Sequence, residues 1–170
     1  MATRHSGTQA TVALDAAAVD YSVHEYAVSG VAPGRAAKAS EETYGEAVAA
    51  AIGAEPERVF KTLIANVDNE LIVAVVPVVT TLDLKALATA VGGKRADMAE
   101  VALAERTTGY VVGGISPFGQ RKKLRTVVDE TAELFDTVFV SAGKRGQQLE
   151  VRPADLLNLT TAIAWPIARQ

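Results

Sequence analysis

Lys61 stands in Val59-Phe60-Lys61-Thr62-Leu63-Ile64, where a strand would carry Val59, Lys61 and Leu63 on one face and Phe60, Thr62 and Ile64 on the other. A charge in a run that is apolar on both faces has two readings. It snorkels past its neighbours or blunts a sheet edge, or it is an ammonium held over a cleft, where it meets an anion or a developing oxyanion with little water to screen it. Gly113-Gly114-Ile115-Ser116-Pro117-Phe118-Gly119 is a glycine loop. It is not a phosphate-binding P-loop, because Gly119 is followed by Gln120-Arg121 rather than lysine. It is not a nucleophile elbow either, because Gly114-Ile115-Ser116-Pro117 runs into Phe118 where a glycine is needed, so Ser116 is not read as a nucleophile. What remains is a tight turn or a set of backbone amides converging on a carbonyl or phosphate, since glycine allows close backbone approach. Two basic clusters follow glycine turns, Arg121-Lys122-Lys123 with Arg125 and Gly143-Lys144-Arg145-Gly146. They are solvated faces or anion contacts at strand ends, where binding loops collect.

The missing residues are as informative. The chain has no cysteine and two histidines, His5 and His24, which excludes disulfides, thiolate zinc and a cysteine nucleophile. No Ser/His/Asp set assembles, and Asp83, Asp97 and Asp129 lack metal-ligand spacing, so neither metal nor cofactor is expected. A nucleophile would then come from water or from the substrate.

The elements that must position these groups read as short and mixed. Thr8 to Ala18 suits a helix and Ser22 to Ala27 a strand, followed by a Gly/Pro/Ala loop from Ser29 to Ala39. Thr43 and Glu46 have capping-box spacing for a helix that stops at Gly53. Val59 to Val67 and Leu71 to Val79 form a hairpin across the connector Asp68-Asn69-Glu70. Helices are expected over Asp83 to Val91 and Glu100 to Arg106. Strands are expected at Thr126 to Val128, Thr137 to Ser141 and Gln148 to Arg152, with a helical turn over Glu130 to Phe135 between the first two. Pro153 opens a last helix, and Thr160 to Ala168 is ambiguous. Without a regular βαβ period, the pattern predicts an α+β domain on a mixed sheet or barrel.

The 170 residues, 49% hydrophobic and 22% charged, fit one domain. Residues 1–7 are expected to be a flexible tail and 8–170 the domain. The longest uncharged apolar run, Leu71 to Leu82, contains Pro77 and is too short for a membrane span of roughly 20 residues. With no apolar signal at the start, the expected compartment is the cytoplasm. The net charge of −3 is uneven, because Arg106 to Arg145 holds seven basic and four acidic residues, a local +3. Such a face suits an anionic ligand bound at one place.

Phe60-Lys61-Thr62-Leu63, Leu82-Asp83-Leu84-Lys85, Thr107 to Pro117 and Val140-Ser141-Ala142-Gly143-Lys144-Arg145-Gly146 stand in the order and spacing of the YbaK-type Cys-tRNA(Pro) deacylases. The resemblance runs from about Val12 to Ala168. It implies the fold of the editing domain inserted in bacterial prolyl-tRNA synthetases, a mixed β-barrel-like sheet flanked by helices. It also implies an enzyme that clears cysteine from proline tRNA in trans, the substrate's own thiol attacking its ester carbonyl. By the same resemblance Lys61 is the catalytic side chain, while Tyr26, Thr62, Gly113, Gly114, Ile115, Ser116 and Ser141 line the aminoacyl-adenosine site. Arg121, Lys122, Lys123, Lys144 and Arg145 are assigned to acceptor-stem phosphates. The implied partners are the acceptor end of aminoacylated tRNA and prolyl-tRNA synthetase in a ternary complex. The alternatives are an Ala-tRNA(Pro) deacylase and a non-catalytic module that binds the acceptor end or the synthetase. The sequence departs from the family pattern at Ala142, where glycine is usual, and at Phe118, where leucine is common.

Overall fold

The computed structural model describes residues 7–27 and 39–170, with side chains from residue 44 onward in the second segment. Thr8 caps α1 (Gln9–Ala16) by accepting the Thr11 amide, and β1 (Ser22–Glu25) follows. The loop expected at 29–39 lies outside the described residues but for its last position. There α2 (Ala39–Ile52) begins, four residues before the Thr43 start that the capping-box spacing suggested. Ala39-Ser40-Glu41-Glu42 contains no Gly or Pro to stop a helix from starting early. Its far end matches expectation, since Gly53 has a φ of +70°.

The hairpin of β2 (Phe60–Val67) and β3 (Glu70–Pro77) pairs Val67 with Glu70, so the turn is Asp68-Asn69 alone. Both turn residues take positive φ, 48° and 70°, which Asp and Asn tolerate, and a turn of that hand matches the twist of the strands. Glu70 therefore belongs to the strand rather than to the connector.

Three further elements precede the glycine loop. After β4 (Thr81–Leu82), Asp83 caps α3 (Leu84–Ala90) through the Ala86 amide. Next come β5 (Ala96–Met98), an element the sequence did not announce, and α4 (Val101–Thr108), stopped by Gly109 at φ +81°. Beyond the glycine loop lie β6 (Arg125–Asp129), β7 (Val138–Ser141), β8 (Gln147–Val151) and α5 (Pro153–Thr160). The ambiguous C-terminal stretch turns at Thr161, φ +54°, into β9 (Ile163–Trp165) and β10 (Ala168–Arg169).

The main sheet has the order β5-β2-β3-β6-β9, with β3-β6 and β6-β9 parallel and the other pairs antiparallel. β3 is buried on both faces. Val73 and Val75 pack with Leu14, Ala104 and Leu156 of the helices on one side, and Ile72, Ala74 and Val76 pack with Leu87 and Ile167 on the other. A second sheet, β1-β8-β7, packs Val138, Val140, Leu149 and Val151 into the first of these cores. It meets β2 through a parallel bridge between Val59 and Phe139, which makes the assembly barrel-like.

Asp129 holds the C-terminal segment in place. It is 2% exposed, and its carboxylate accepts the Ile167 and Ala168 amides at 3.0 and 2.9 Å and the Thr131 amide and hydroxyl. Its role is structural, and among the described residues no acidic, histidine or cysteine cluster could hold a metal. Glu150 on β8 has a similar task at the second sheet. It accepts from the Thr137 hydroxyl, meets His24 Nε2 at 2.9 Å and Arg58 at 3.5 Å, and Arg58 lies over the Phe139 ring. Burial would raise its pKa, but the Thr137 and His24 hydrogen bonds and the His24 and Arg58 charges outweigh burial and hold it below the ordinary value. The stabilisation is therefore complete above the ordinary glutamate value of 4.5 and is lost as pH falls through the depressed native pKa. Glu150→Gln should reduce stability at pH 7 by about 1–2 kcal/mol and by progressively less below pH ~4. Thermal melts of both proteins at pH 7 and pH 3 check this, and an equal gap at both pH values would contradict it.

Candidate active site

A cleft opens where, among the described residues, β2 has no paired strand along part of one edge. That edge pairs with β5 over residues 65–67, and among the described residues its one bridge to β7 is made by Val59, just before β2, with Phe139. Between them the Ala99 amide donates to the Ile64 carbonyl at 3.1 Å. The resulting cavity, about 330 Å³, is walled by Phe60 to Ile64 of β2, Tyr44 and Val48 of α2, Val101 and Ala104 of α4, the glycine loop, and Ser141 and Gln148 of the second sheet. Most of the wall is aliphatic, as ligand pockets generally are.

Five of the residues assigned by resemblance line it, namely Lys61, Thr62, Gly113, Ile115 and Ser141. The half-buried Lys61 pairs in register with Val76, so a fully hydrogen-bonded hairpin fixes its backbone. Tyr26 stands just behind the wall, its hydroxyl accepting from Gln148 Nε2 at 3.5 Å. Gly113, at φ +94°, and Gly114 turn the loop, which is pinned by the Val112 amide donating to Glu105 at 2.8 Å. Gly114 backs onto the 143–146 turn, where a Cβ would approach Lys144 Cα to 3.1 Å and the Arg145 amide to 3.3 Å. Glycine is what lets the two motifs touch.

Ser116 is a correction to the sequence reading. It is fully buried behind the loop, its hydroxyl accepting the Phe118 amide at 3.2 Å and its carbonyl accepting from Gln120, and it does not line the cleft. A serine before Pro-Phe-Gly satisfies its own turn rather than presenting itself outward. Of the two departures from the family pattern, Phe118 is a core residue whose carbonyl accepts the Tyr110 hydroxyl. Ala142 is buried with ordinary negative φ, the positive φ of 103° falling on Gly143, so alanine distorts nothing beside Ser141.

The basic clusters separate in space. Lys144 and Arg145 are exposed on the turn against the glycine loop, and the Arg145 charge reaches Tyr44 in the cleft wall. The 121–123 strap lies beyond the C-terminal end of α4, its Arg121 and Lys122 amides bonded to the Thr108 and Thr107 carbonyls. Lys123 reaches Thr161 at 3.0 Å, and none of the three lines the cleft.

Two cleft residues went unassigned in the sequence. Tyr44 is half-buried, and burial, reinforced by neighbouring Tyr26, pushes its hydroxyl above the ordinary phenol range while Arg145 draws it back, so it stays protonated. Gln148, 8% exposed, sits in β8 directly opposite both His24 and Ser141, which puts the three on one face. Little in the sequence signalled it, because Gln148 shares its strand with Gln147 and Glu150 and is one polar residue among three there. Three buried side-chain polar atoms among the described residues have no hydrogen-bond partner, namely Tyr44 Oη, Thr62 Oγ1 and Gln148 Oε1. All three belong to residues that line this cleft. Native interiors rarely leave such atoms unpaired, so their grouping in the wall of one cavity marks it as a place where ordered water or a ligand completes their bonding.

Known proteins resemble this chain in sequence and in fold. EbsC of Enterococcus faecalis, whose name assigns it to the Cys-tRNA(Pro)/Cys-tRNA(Cys) deacylases, is 45% identical over 117 residues, 68% of this chain and 71% of its own. ProXp-y of Escherichia coli, named a multifunctional Ser/Thr-tRNA deacylase, is 34% identical over 92 residues, 54% of this chain and 55% of its own. A solved structure described as a trans-editing enzyme for prolyl-tRNA synthetase superposes with a TM-score of 0.79 over 95% of this chain and 96% of its own, at 22% identity. That last likeness shows the expected α+β fold. The aminoacyl-tRNA editing domain matches residues 38–159, a span that holds Lys61, the glycine loop and the 143–146 turn, and on that match the chain belongs to the aminoacyl-tRNA editing domain family.

Proposed function

We propose that the protein is a trans-editing deacylase that removes cysteine mischarged on proline tRNA by cleaving the aminoacyl ester. The observation that carries the reading is the cleft itself, an apolar cavity holding one ammonium and three unpaired polar atoms. Among its described lining residues there is no histidine, carboxylate or cysteine. Such a wall can bind and orient an ester and stabilise charge on its carbonyl oxygen, but it supplies no evident base to activate water. Lys61 is assigned to the acylated ribose and the developing oxyanion, and the Gly113 and Gly114 backbone with Ile115, Thr62 and Ser141 to the aminoacyl group. The substrate thiol attacks the ester carbonyl carbon. A C–S bond forms, the C–O bond to the ribose breaks, its electron pair leaves on the ribose oxygen, and that oxygen takes the thiol proton. The products are deacylated tRNA and a cyclic thioester, which water then opens.

The Lys144–Arg145 turn beside the loop is placed to meet acceptor-end phosphates, with Arg121, Lys122 and Lys123 further along the stem and prolyl-tRNA synthetase as a third partner. No described helix is long and apolar enough to cross a membrane, and the compartment the reading requires is the cytoplasm. Incubation with Cys-tRNA(Pro) and Ala-tRNA(Pro) at matched concentrations tests the assignment. Release of cysteine alone is the expected result, release of alanine marks the alanine-type deacylase, and binding without release marks a non-catalytic module.

Four phosphate contacts would make tRNA affinity fall roughly 50-fold between 50 and 200 mM salt. Reversing Lys144 and Arg145 to glutamate should flatten that slope more than reversing Lys122 and Lys123, since only the former pair adjoins the cleft. Fluorescence anisotropy across a salt series measures both. A slope unchanged by either reversal would remove that cluster from the interface.

A further inference from the structure

We propose that the Gln148 carboxamide reads the side chain of the amino acid being removed, accepting a hydrogen bond from its hydroxyl or thiol. This rests on the aminoacyl-ester reading of the cleft and adds to it a residue that decides which amino acids are held.

Position supports the assignment first. Gln148 occupies the middle strand of the second sheet, between His24 and Ser141, so its backbone is paired on both edges. Its Nε2 donates to the Tyr26 hydroxyl at 3.5 Å, which leaves Oε1, the other end of a carboxamide whose residue lines the cleft, buried and without a partner. A buried carbonyl oxygen in that state is stabilised by any ligand that brings a donor, and it penalises one that does not.

Charge decides which donor. The α-ammonium of an aminoacyl ester is a cation, and the described wall offers it Lys61 and the Arg145 field but no carboxylate. Glu150, the nearest acid along the same strand face, is engaged by Thr137, His24 and Arg58. A neutral O–H or S–H meets no such repulsion, and Thr62 Oγ1 and the protonated Tyr44 hydroxyl can accept or donate around it. The aliphatic remainder of the wall, with Val48, Ile64, Val101 and Ala104, suits a small side chain carrying one such group.

The test separates recognition from chemistry by using analogues that cannot be cleaved, seryl and alanyl 3′-amino-3′-deoxyadenosine with an amide in place of the ester. They differ by a single hydroxyl. The wild-type protein should bind the seryl analogue roughly tenfold or more tighter than the alanyl one by calorimetry, as expected when one buried acceptor is filled or left empty. Gln148→Leu should bring that ratio to within about threefold, by weakening seryl binding and not alanyl binding, because leucine keeps the volume and loses the acceptor. Tyr26→Phe, which releases the carboxamide without touching its oxygen, should lower the ratio by about threefold, and it carries the test if the leucine variant does not fold. Equal wild-type affinity for the two analogues, or a variant that weakens both alike, overturns the assignment and leaves the deacylase reading intact. Failure of the wild type to bind either analogue overturns both.

Discussion

Replacing Lys61 with alanine should reduce Cys-tRNA(Pro) deacylation by roughly 10²- to 10³-fold, the cost of removing a preorganised electrostatic group at a developing oxyanion. The reason lies in what surrounds it. Among the described residues the rest of the wall is aliphatic or neutral, and a charge in such surroundings acts more strongly than in water. No second cation lines that wall among the described residues, although Arg145 adjoins it. The fold should survive. Lys61 belongs to a strand paired along its whole length with β3, and its backbone bonds do not depend on the side chain. Lys61→Met is the cleaner variant because it keeps the methylene stem that packs in the cleft while removing the charge. Both variants should melt within a few degrees of the wild type while single-turnover deacylation collapses. A folded methionine variant with near-normal activity would make Lys61 an edge-blunting residue and move the chemistry elsewhere.

Cys-tRNA should be cleaved faster than Ser-tRNA by more than the roughly 10- to 200-fold that a pocket achieves between near-isosteres by fit alone. A thiol is a few per cent thiolate at neutral pH and strongly nucleophilic in that form, whereas a serine hydroxyl is not ionised. Lys61 beside the thiol favours the thiolate further. The Gln148 contact favours serine if anything, because an O–H is the stronger donor and a thiolate donates nothing, so discrimination toward cysteine falls to the chemical step. Rates on Cys-tRNA should therefore rise with pH and level off below the ordinary thiol value of ~8.5, since the neighbouring ammonium lowers the thiol pKa. Early quenching should reveal a cyclic thioester by mass spectrometry. If Ser-tRNA is cleaved as fast as Cys-tRNA, the thiol plays no part, and an oriented water becomes the nucleophile. The name of the Escherichia coli relative, a Ser/Thr-tRNA deacylase, makes this comparison the informative one.

Much of the fold was legible because it is decided locally. Asp68-Asn69 between two β-branched runs specifies a hairpin, Asp83 a helix start, Gly53 and Gly109 helix stops, and Pro153 the first turn of the last helix. These signals act through φ restrictions and caps within a few residues. The elements that escaped were those whose strand character comes from a distant partner. β5 forms because Ala96, Asp97 and Met98 meet Val67, Asn66 and Ala65, and β9 because residues 163–165 lie beside residues 127–129, with Asp129 holding the Ile167 and Ala168 amides. Nothing in three isolated residues announces such a partner.

The same division runs through the site. The residue types in sequence motifs were enough to single out Lys61, the glycine loop and the Lys144–Arg145 turn. The absence of cysteine and the scarcity of histidine were enough to direct attention away from a protein nucleophile. Tertiary structure alone put Gly114 against Lys144, turned Ser116 inward and carried the 121–123 strap past the cleft. It also brought Tyr44, Thr62 and Gln148, from a helix and two different sheets, into the wall of one cavity with their polar atoms buried and unpaired. Chemical type is a property of the residue and can be read one position at a time. Pairing and burial are properties of what the rest of the chain packs around it, and the sheet register that settles them joins residues more than a hundred positions apart, as Gln148 is from His24.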